Sequence, residues 1–111
     1  MIGKTALVTG AAKRVGRAIA LELHTAGANL VVHYREAAAA AQALVDDMNA
    51  KRVGSAISLQ ADLLDGEACS TLVENSTAHF GRLDALVNNA SSFFATPLGS
   101  IDESDWLDLI G

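Results

Sequence analysis

Short apolar runs alternate along the chain with stretches of helical period. Ala6-Leu7-Val8, bounded by Gly3-Lys4 and Gly10, has strand length. Val15, Ala18, Ile19, Leu23 and Ala26 recur at helical spacing, and Gly27 follows as a stop. Leu30-Val31-Val32 predicts a second strand. Ala41, Leu44, Val45 and Met48 show the i, i+3, i+4, i+7 pattern of a second helix, within an alanine-rich stretch of high helix propensity. Ala56-Ile57-Ser58-Leu59 predicts a third strand. Asp65 is placed to cap a third helix with Cys69, Leu72, Val73, Ser76 and Phe80 on its inner face and Gly81 at its end. Leu83 to Val87 predicts a fourth strand with a polar Asp84 inside it. A loop holding Pro97 follows, and a further helix begins near Asp102 or Ser104 and is interrupted at Gly111.

Apolar-run strands separated by helices predict right-handed βαβ units on a parallel sheet covered on both faces. The expected fold is therefore α/β, a Rossmann-type doubly wound parallel sheet truncated after the fourth strand. There is no internal repeat, linker or low-complexity tract. The run Ala37 to Ala41 is helix former and nothing more.

Composition narrows the function. The 111 residues carry 8 Lys and Arg against 13 Asp and Glu, a net charge of −5. An acidic balance argues against nucleic acid or an anionic membrane as partner. Half the residues are apolar, enough to bury a core. The single cysteine, Cys69, makes no intramolecular disulfide. No apolar run reaches transmembrane length, and the start of the chain lacks the pattern of a signal peptide. The expectation is a cytoplasmic soluble protein of one domain.

The chemistry gathers at the strand ends. The first strand runs into Thr9-Gly10-Ala11-Ala12-Lys13-Arg14-Val15-Gly16 and then a helix. Such a turn lets backbone approach a phosphate, while the helix N-terminus supplies N–H donors. Gly10 suits the turn and Gly16 close helix–strand packing; Lys13 and Arg14 add cations. Read alone, the same turn is equally a two-glycine βα connection with two solvated basic residues. The second strand ends in His33-Tyr34-Arg35, where NAD sites usually carry a carboxylate and NADP sites an Arg. Arg35, His33 and Lys13 as three potential cations favour NADPH, and Glu36 works against it. His33 as a plain strand residue and Arg35 as a solvated charge is the ordinary alternative. Asp62, after the third strand, suits either an adenine amino group or a loop cap. Asn88-Asn89-Ala90-Ser91-Ser92-Phe93-Phe94, after the fourth, offers amides, hydroxyls and aromatics where open α/β sheets bind ligands, or is an Asn-rich turn with Phe93 and Phe94 folded back into the core.

Thr9-Gly10 with Gly16, Asp62 and Asn88-Asn89-Ala90, in this order over the whole chain, resemble the short-chain dehydrogenase/reductases. That family usually has a third glycine where Arg14 stands. Arg14, His33-Tyr34-Arg35 and Asn89-Ala90-Ser91-Ser92-Phe93 resemble its pteridine reductase branch. The resemblance implies roles. Arg14 would touch the cofactor phosphates and border a pterin. His33, Tyr34 and Arg35 would surround the 2′-phosphate end. Asp62 and Leu63 would hold adenine. Asn89 and Ala90 would line the cofactor. Gly10, Lys13, Val15, Gly16 and Ala61 complete the cofactor set. Ser91 would bond cofactor and pterin, and Phe93 would stack on the pterin, a contact worth about 0.5–1.5 kcal/mol beyond area burial. Glu36 departs from the hydroxyl residue expected there.

The family's catalytic Tyr-x-x-x-Lys follows the fourth strand by a long way, and the single tyrosine here, Tyr34, has no Lys at i+4. The expectation is the N-terminal part, residues 1–111, of one dinucleotide-binding domain that carries no catalytic residue itself. The implied parent is an NADPH-dependent pterin or folate reductase and a homotetramer. A reductase of carbonyls such as 3-oxoacyl thioesters, or an inert dinucleotide-binding fragment, is the alternative.

Overall fold

The computed structural model describes residues 2–12 and 14–89. The expectations on Lys13, Ala90, Ser91, Phe93, the Pro97 loop and the final helix lie outside them. The element order is β1 (Thr5–Val8), α1 (Arg14–Thr25), β2 (Asn29–Tyr34), α2 (Ala38–Lys51), β3 (Ala56–Gln60), α3 (Gly66–Phe80) and β4 (Ala85–Val87). All strands pair in parallel, in the order β3-β2-β1-β4. This is the predicted α/β arrangement, with the parallel strand order of a Rossmann-type sheet among the described residues.

Strand alternation sorts the core into two layers. Ala6, Val8, Leu30 and Val32 face α1 and α2, and pack with Ala20, Ala41, Leu44 and Met48. Leu7, Val31 and Leu86 point the other way, onto Cys69 and Leu72 of α3. Both faces are thereby covered, so the strands read as continuous apolar runs. Burying each of the larger aliphatic side chains contributes about 1.5–3 kcal/mol.

The predicted faces of α2 and α3 are the observed ones. Ala41, Leu44, Val45 and Met48 are buried; on α3 Cys69, Leu72 and Ser76 are buried, with Val73 and Phe80 packed beside them. Asp65 caps α3 by accepting hydrogen bonds from the N–H groups of Glu67 and Ala68. Gly81 closes it in the left-handed conformation, with φ 78°.

Two expectations are corrected. The inner face of α1 is Gly16, Ala20 and His24, while Val15, Ala18 and Ala26 are exposed. Small residues at i and i+4 let the helix lie close to the sheet, so its larger apolar residues flank the contact. Asp84 lies outside β4. Its carboxylate accepts the Thr5 N–H at 2.8 Å and pairs with Arg82. The Arg82 guanidinium is the main reason its pKa is lowered.

The end of the sheet remote from the glycine turn is closed by polar side chains. Arg52 donates to the carbonyls of His24 and Ala28, at the end of α1. The Ser55 hydroxyl donates to the Arg52 carbonyl and lies 2.7 Å from His24 Nε2. Asn49 reaches from α2 to the outer edge of β3. Its Oδ1 accepts the N–H groups of Ser55 and Ala56, and its Nδ2 donates to the Ala56 carbonyl.

Candidate functional site: the glycine turn and the carboxyl ends of the strands

β1 ends against a web of bonds. Thr9 is buried; its hydroxyl donates to the Val87 carbonyl at 3.3 Å and accepts the Asn89 N–H at 2.9 Å. Asn89 Nδ2 donates to the Gly10 carbonyl at 3.3 Å. Gly10 has φ 61°, a region that suits glycine. Opposite it, a Cβ on Gly16 would overlap the Gly10 carbonyl oxygen and lie 2.6 Å from Asn89 Nδ2. Gly10, Gly16 and Asn89 are therefore one packed unit, assembled from residues 79 apart in sequence.

Arg14 opens α1 with φ 53°, the single non-glycine residue in positive φ among the described residues. The left-handed region costs a side-chain-bearing residue roughly 1–2 kcal/mol. This explains physically why a glycine is usual at that position in the family the sequence resembles. The Arg14 side chain is exposed beside the turn, as is that of Val15.

His33 occupies a different place from the one the sequence suggested. The residue is 2% exposed. Nδ1 accepts the Gly10 N–H at 2.9 Å, and Nε2 lies 2.9 Å from the Ala61 carbonyl. A ring that accepts at Nδ1 and donates at Nε2 is the neutral tautomer. Burial, opposed by the Ala61 carbonyl, lowers its pKa. His33 is thus not a third cation for the ribose. The backbone follows the same path: Ala11 N–H donates to the His33 carbonyl at 3.0 Å, and Ala61 N–H to that of Tyr34 at 3.1 Å.

Between the turn and the end of β2 lies a cleft of about 280 Å³, lined by Gly10, Ala12, Tyr34, Arg35, Glu36 and Ala37. The sequence placed Gly10, Tyr34, Arg35 and Glu36 here and missed Ala12 and Ala37. α2 begins at this cleft, and its N-cap residue Ala37 makes no side-chain capping bond. An uncapped helix start offers N–H groups and a positive dipole end to an anion. Arg35 is exposed, its carbonyl accepting from Gln60 Nε2 at 3.2 Å. Beyond β3, Asp62 Oδ1 accepts the Leu64 N–H at 3.0 Å, a loop-forming bond, and Ala61 and Leu63 are buried. Among the described residues no group of three or more His, Cys, Asp or Glu could hold a metal, and no helix is long and apolar enough to cross a membrane.

His33 and His24 share an acid sensitivity. Burial lowers the pKa of His24 too, followed by Arg52 and then Lys51, with Asp47 opposing. A histidine with a lowered folded pKa stays neutral while the unfolded chain takes up protons from about pH 6.5 downward. The stability these rings support is complete above that pH and declines below it. The urea midpoint is expected to fall between pH 7.5 and 5.5, and an unchanged midpoint would refute the buried-neutral assignment.

The short chain dehydrogenase family matches this chain over residues 4–111. Pteridine reductase 1 of Leishmania tarentolae is 47% identical over 110 residues, 84% of this chain and 38% of that protein. The hydroxynaphthalene reductase-like protein Arp2 of Metarhizium anisopliae is 39% identical over 106 residues, 96% of this chain and 39% of its own. The 3-oxoacyl-(acyl-carrier-protein) reductase FabG of Staphylococcus aureus is 38% identical over 107 residues, 96% of this chain and 43% of its own. The chain thus spans about two-fifths of the length of these curated relatives. A match of this extent, on a parallel sheet whose first strand runs into a glycine turn and a helix, means that the chain belongs to the short-chain dehydrogenase family of oxidoreductases.

Proposed function

We propose that this chain is the cofactor-binding front of an NADPH-dependent reductase, with a pterin as the substrate of the whole protein. The observation that carries the cofactor reading is the cleft where the Gly10 turn, Arg35 and the uncapped start of α2 meet. A phosphate there would gain a guanidinium and helix N–H donors, while Glu36 on the same wall opposes it. The residues present suit the dinucleotide: Gly16 lets the start of α1 pack against the Gly10 turn, where a Cβ would overlap the Gly10 carbonyl oxygen, and Arg14 stands exposed at the turn. When bound, NADPH would supply the hydride. Gly10, Arg14 and Gly16 would bind and orient it along the turn, and Tyr34 and Arg35 would hold the ribose-phosphate end. Lys13, Asp62, Leu63, Asn89, Ala90 and Ser91 join this set by resemblance, with Phe93 for the pterin ring. By the same resemblance the whole protein would be a homotetramer, and the start of the chain, without a signal-peptide pattern, is the ground for placing it in the cytoplasm.

The pterin reading draws support from the 47% identity to a pteridine reductase, against 38–39% to the other two relatives. A carbonyl substrate is the second reading, favoured by the FabG likeness. Assaying the whole protein for NADPH oxidation with dihydropterins and with 3-oxoacyl thioesters separates them. Turnover of the thioesters alone would overturn the pterin assignment. Arg35→Asp is expected to cost about 1.5–3 kcal/mol of NADPH binding, the worth of a charge-assisted hydrogen bond. Titration of both dinucleotides checks this, since an unchanged preference for NADPH over NADH would remove Arg35 from the site.

A further inference from the structure

We propose that His33 is a positioning residue, a buried neutral strut that fixes the glycine turn for its ligand through the Gly10 N–H···Nδ1 bond. This rests on the dinucleotide reading of the turn, and assigns His33 to the interior of the site in place of its charged rim.

Gly10 is held from two sides. Asn89 Nδ2 donates to its carbonyl and His33 Nδ1 accepts its amide. Those two bonds set the plane of the peptide units on either side of a residue that, as glycine, has little preference of its own. His33 takes a second amide of the turn through its backbone, since its carbonyl accepts the Ala11 N–H. The amides of Gly10 and Ala11 are thereby committed to β2. The donors left for a phosphate lie further along, toward the start of α1. The other side of the ring is anchored on the Ala61 carbonyl, just past the end of β3. One imidazole thus ties the turn after β1 to the connection after β3, across β2. No other side chain among the described residues hydrogen-bonds the Gly10 amide. A carboxylate in this place would bring a buried charge, and an apolar ring would leave the amide without an acceptor.

The two ring nitrogens can be tested apart. In His33→Asn, Oδ1 overlays Nδ1 and keeps an acceptor for Gly10, while the Ala61 bond is lost. In His33→Gln the amide reaches the Nε2 position and the Gly10 acceptor is lost. His33→Phe removes both. Amide hydrogen exchange at Gly10 and NADPH affinity, by fluorescence titration, are measured on the whole protein with each variant's folding checked by its melting curve. Gly10 exchange is expected to quicken about tenfold or more in the Gln and Phe variants, with His33→Asn near wild type. NADPH affinity is expected to fall about tenfold in His33→Phe, with Asn retaining more of it than Gln. Affinity in His33→Phe equal to wild type, or Gln matching Asn in both measurements, would overturn the strut. A wild-type protein that binds no dinucleotide would instead overturn the cofactor reading. The exchange measurement would then decide by itself whether His33 holds the turn.

Discussion

Gly16→Ala is expected to lower the urea midpoint of the protein and, on the proposed cofactor reading, its NADPH affinity as well. At an ordinary helix position this change gains about 0.5–1 kcal/mol, because alanine is the better helix former. Here the new methyl meets the Gly10 carbonyl oxygen and the Asn89 amide. The first is backbone, so the overlap is relieved only if α1 moves off the turn. Overpacking of this kind costs about 1–3 kcal/mol, enough to outweigh the propensity gain. Affinity falls with it, because the displaced parts are the turn and the helix start that would bind phosphate. Gly66, at the start of α3, is the control: a Cβ there meets nothing within 4 Å. Gly66→Ala is expected to be neutral or to stabilise by up to about 1 kcal/mol. Equal midpoints for the two variants would show that α1 is not packed through Gly16.

Arg14→Gly is expected to move stability and affinity in opposite directions. Glycine adopts φ 53° without the clash that burdens arginine. The variant should gain up to about 1 kcal/mol of folding stability, net of the extra freedom of an unfolded glycine. On the proposed cofactor reading it would lose a guanidinium able to hydrogen-bond a phosphate, a contact worth about 1.5–3 kcal/mol, and NADPH affinity is expected to fall tenfold to hundredfold. Strain kept at a residue proposed to face a ligand is the pattern expected where binding, not folding, selects the side chain. A variant that melts lower and binds NADPH as well as before would reverse both assignments.

The two α/β layers were legible because strands buried on both faces must be apolar throughout. Leu7 faces one helix layer and Val8 the other, so neither position tolerates a polar residue. The faces of α2 and α3 were legible for the same reason. The inner face of α1 was not, because closeness to the turn selects small residues at Gly16 and Ala20, and small residues carry little periodic signal. The turn's glycines announced themselves through spacing. The place of His33 did not, since both ring partners are backbone groups, 23 and 28 residues away, that any sequence would supply. The conformation of Arg14 was hidden as well: the residue type gives no sign of positive φ, and a basic side chain near a phosphate turn reads the same in any backbone.

Asn49 bears on how this sheet meets other chains. β3 stands at one side of the sheet, and the outward-facing amide and carbonyl of Ala56 would be the first rung offered to a foreign strand. The Asn49 carboxamide takes both, so a helix side chain imitates one residue of a neighbouring strand. An exposed row of backbone donors and acceptors is what templates intermolecular pairing. With its opening rung filled, that row is shortened from the end where β3 begins, and an incoming strand could start its ladder only further along, toward Ser58. Protection of this edge thus rests on a side-chain amide that takes no part in the cleft at Tyr34 and Arg35.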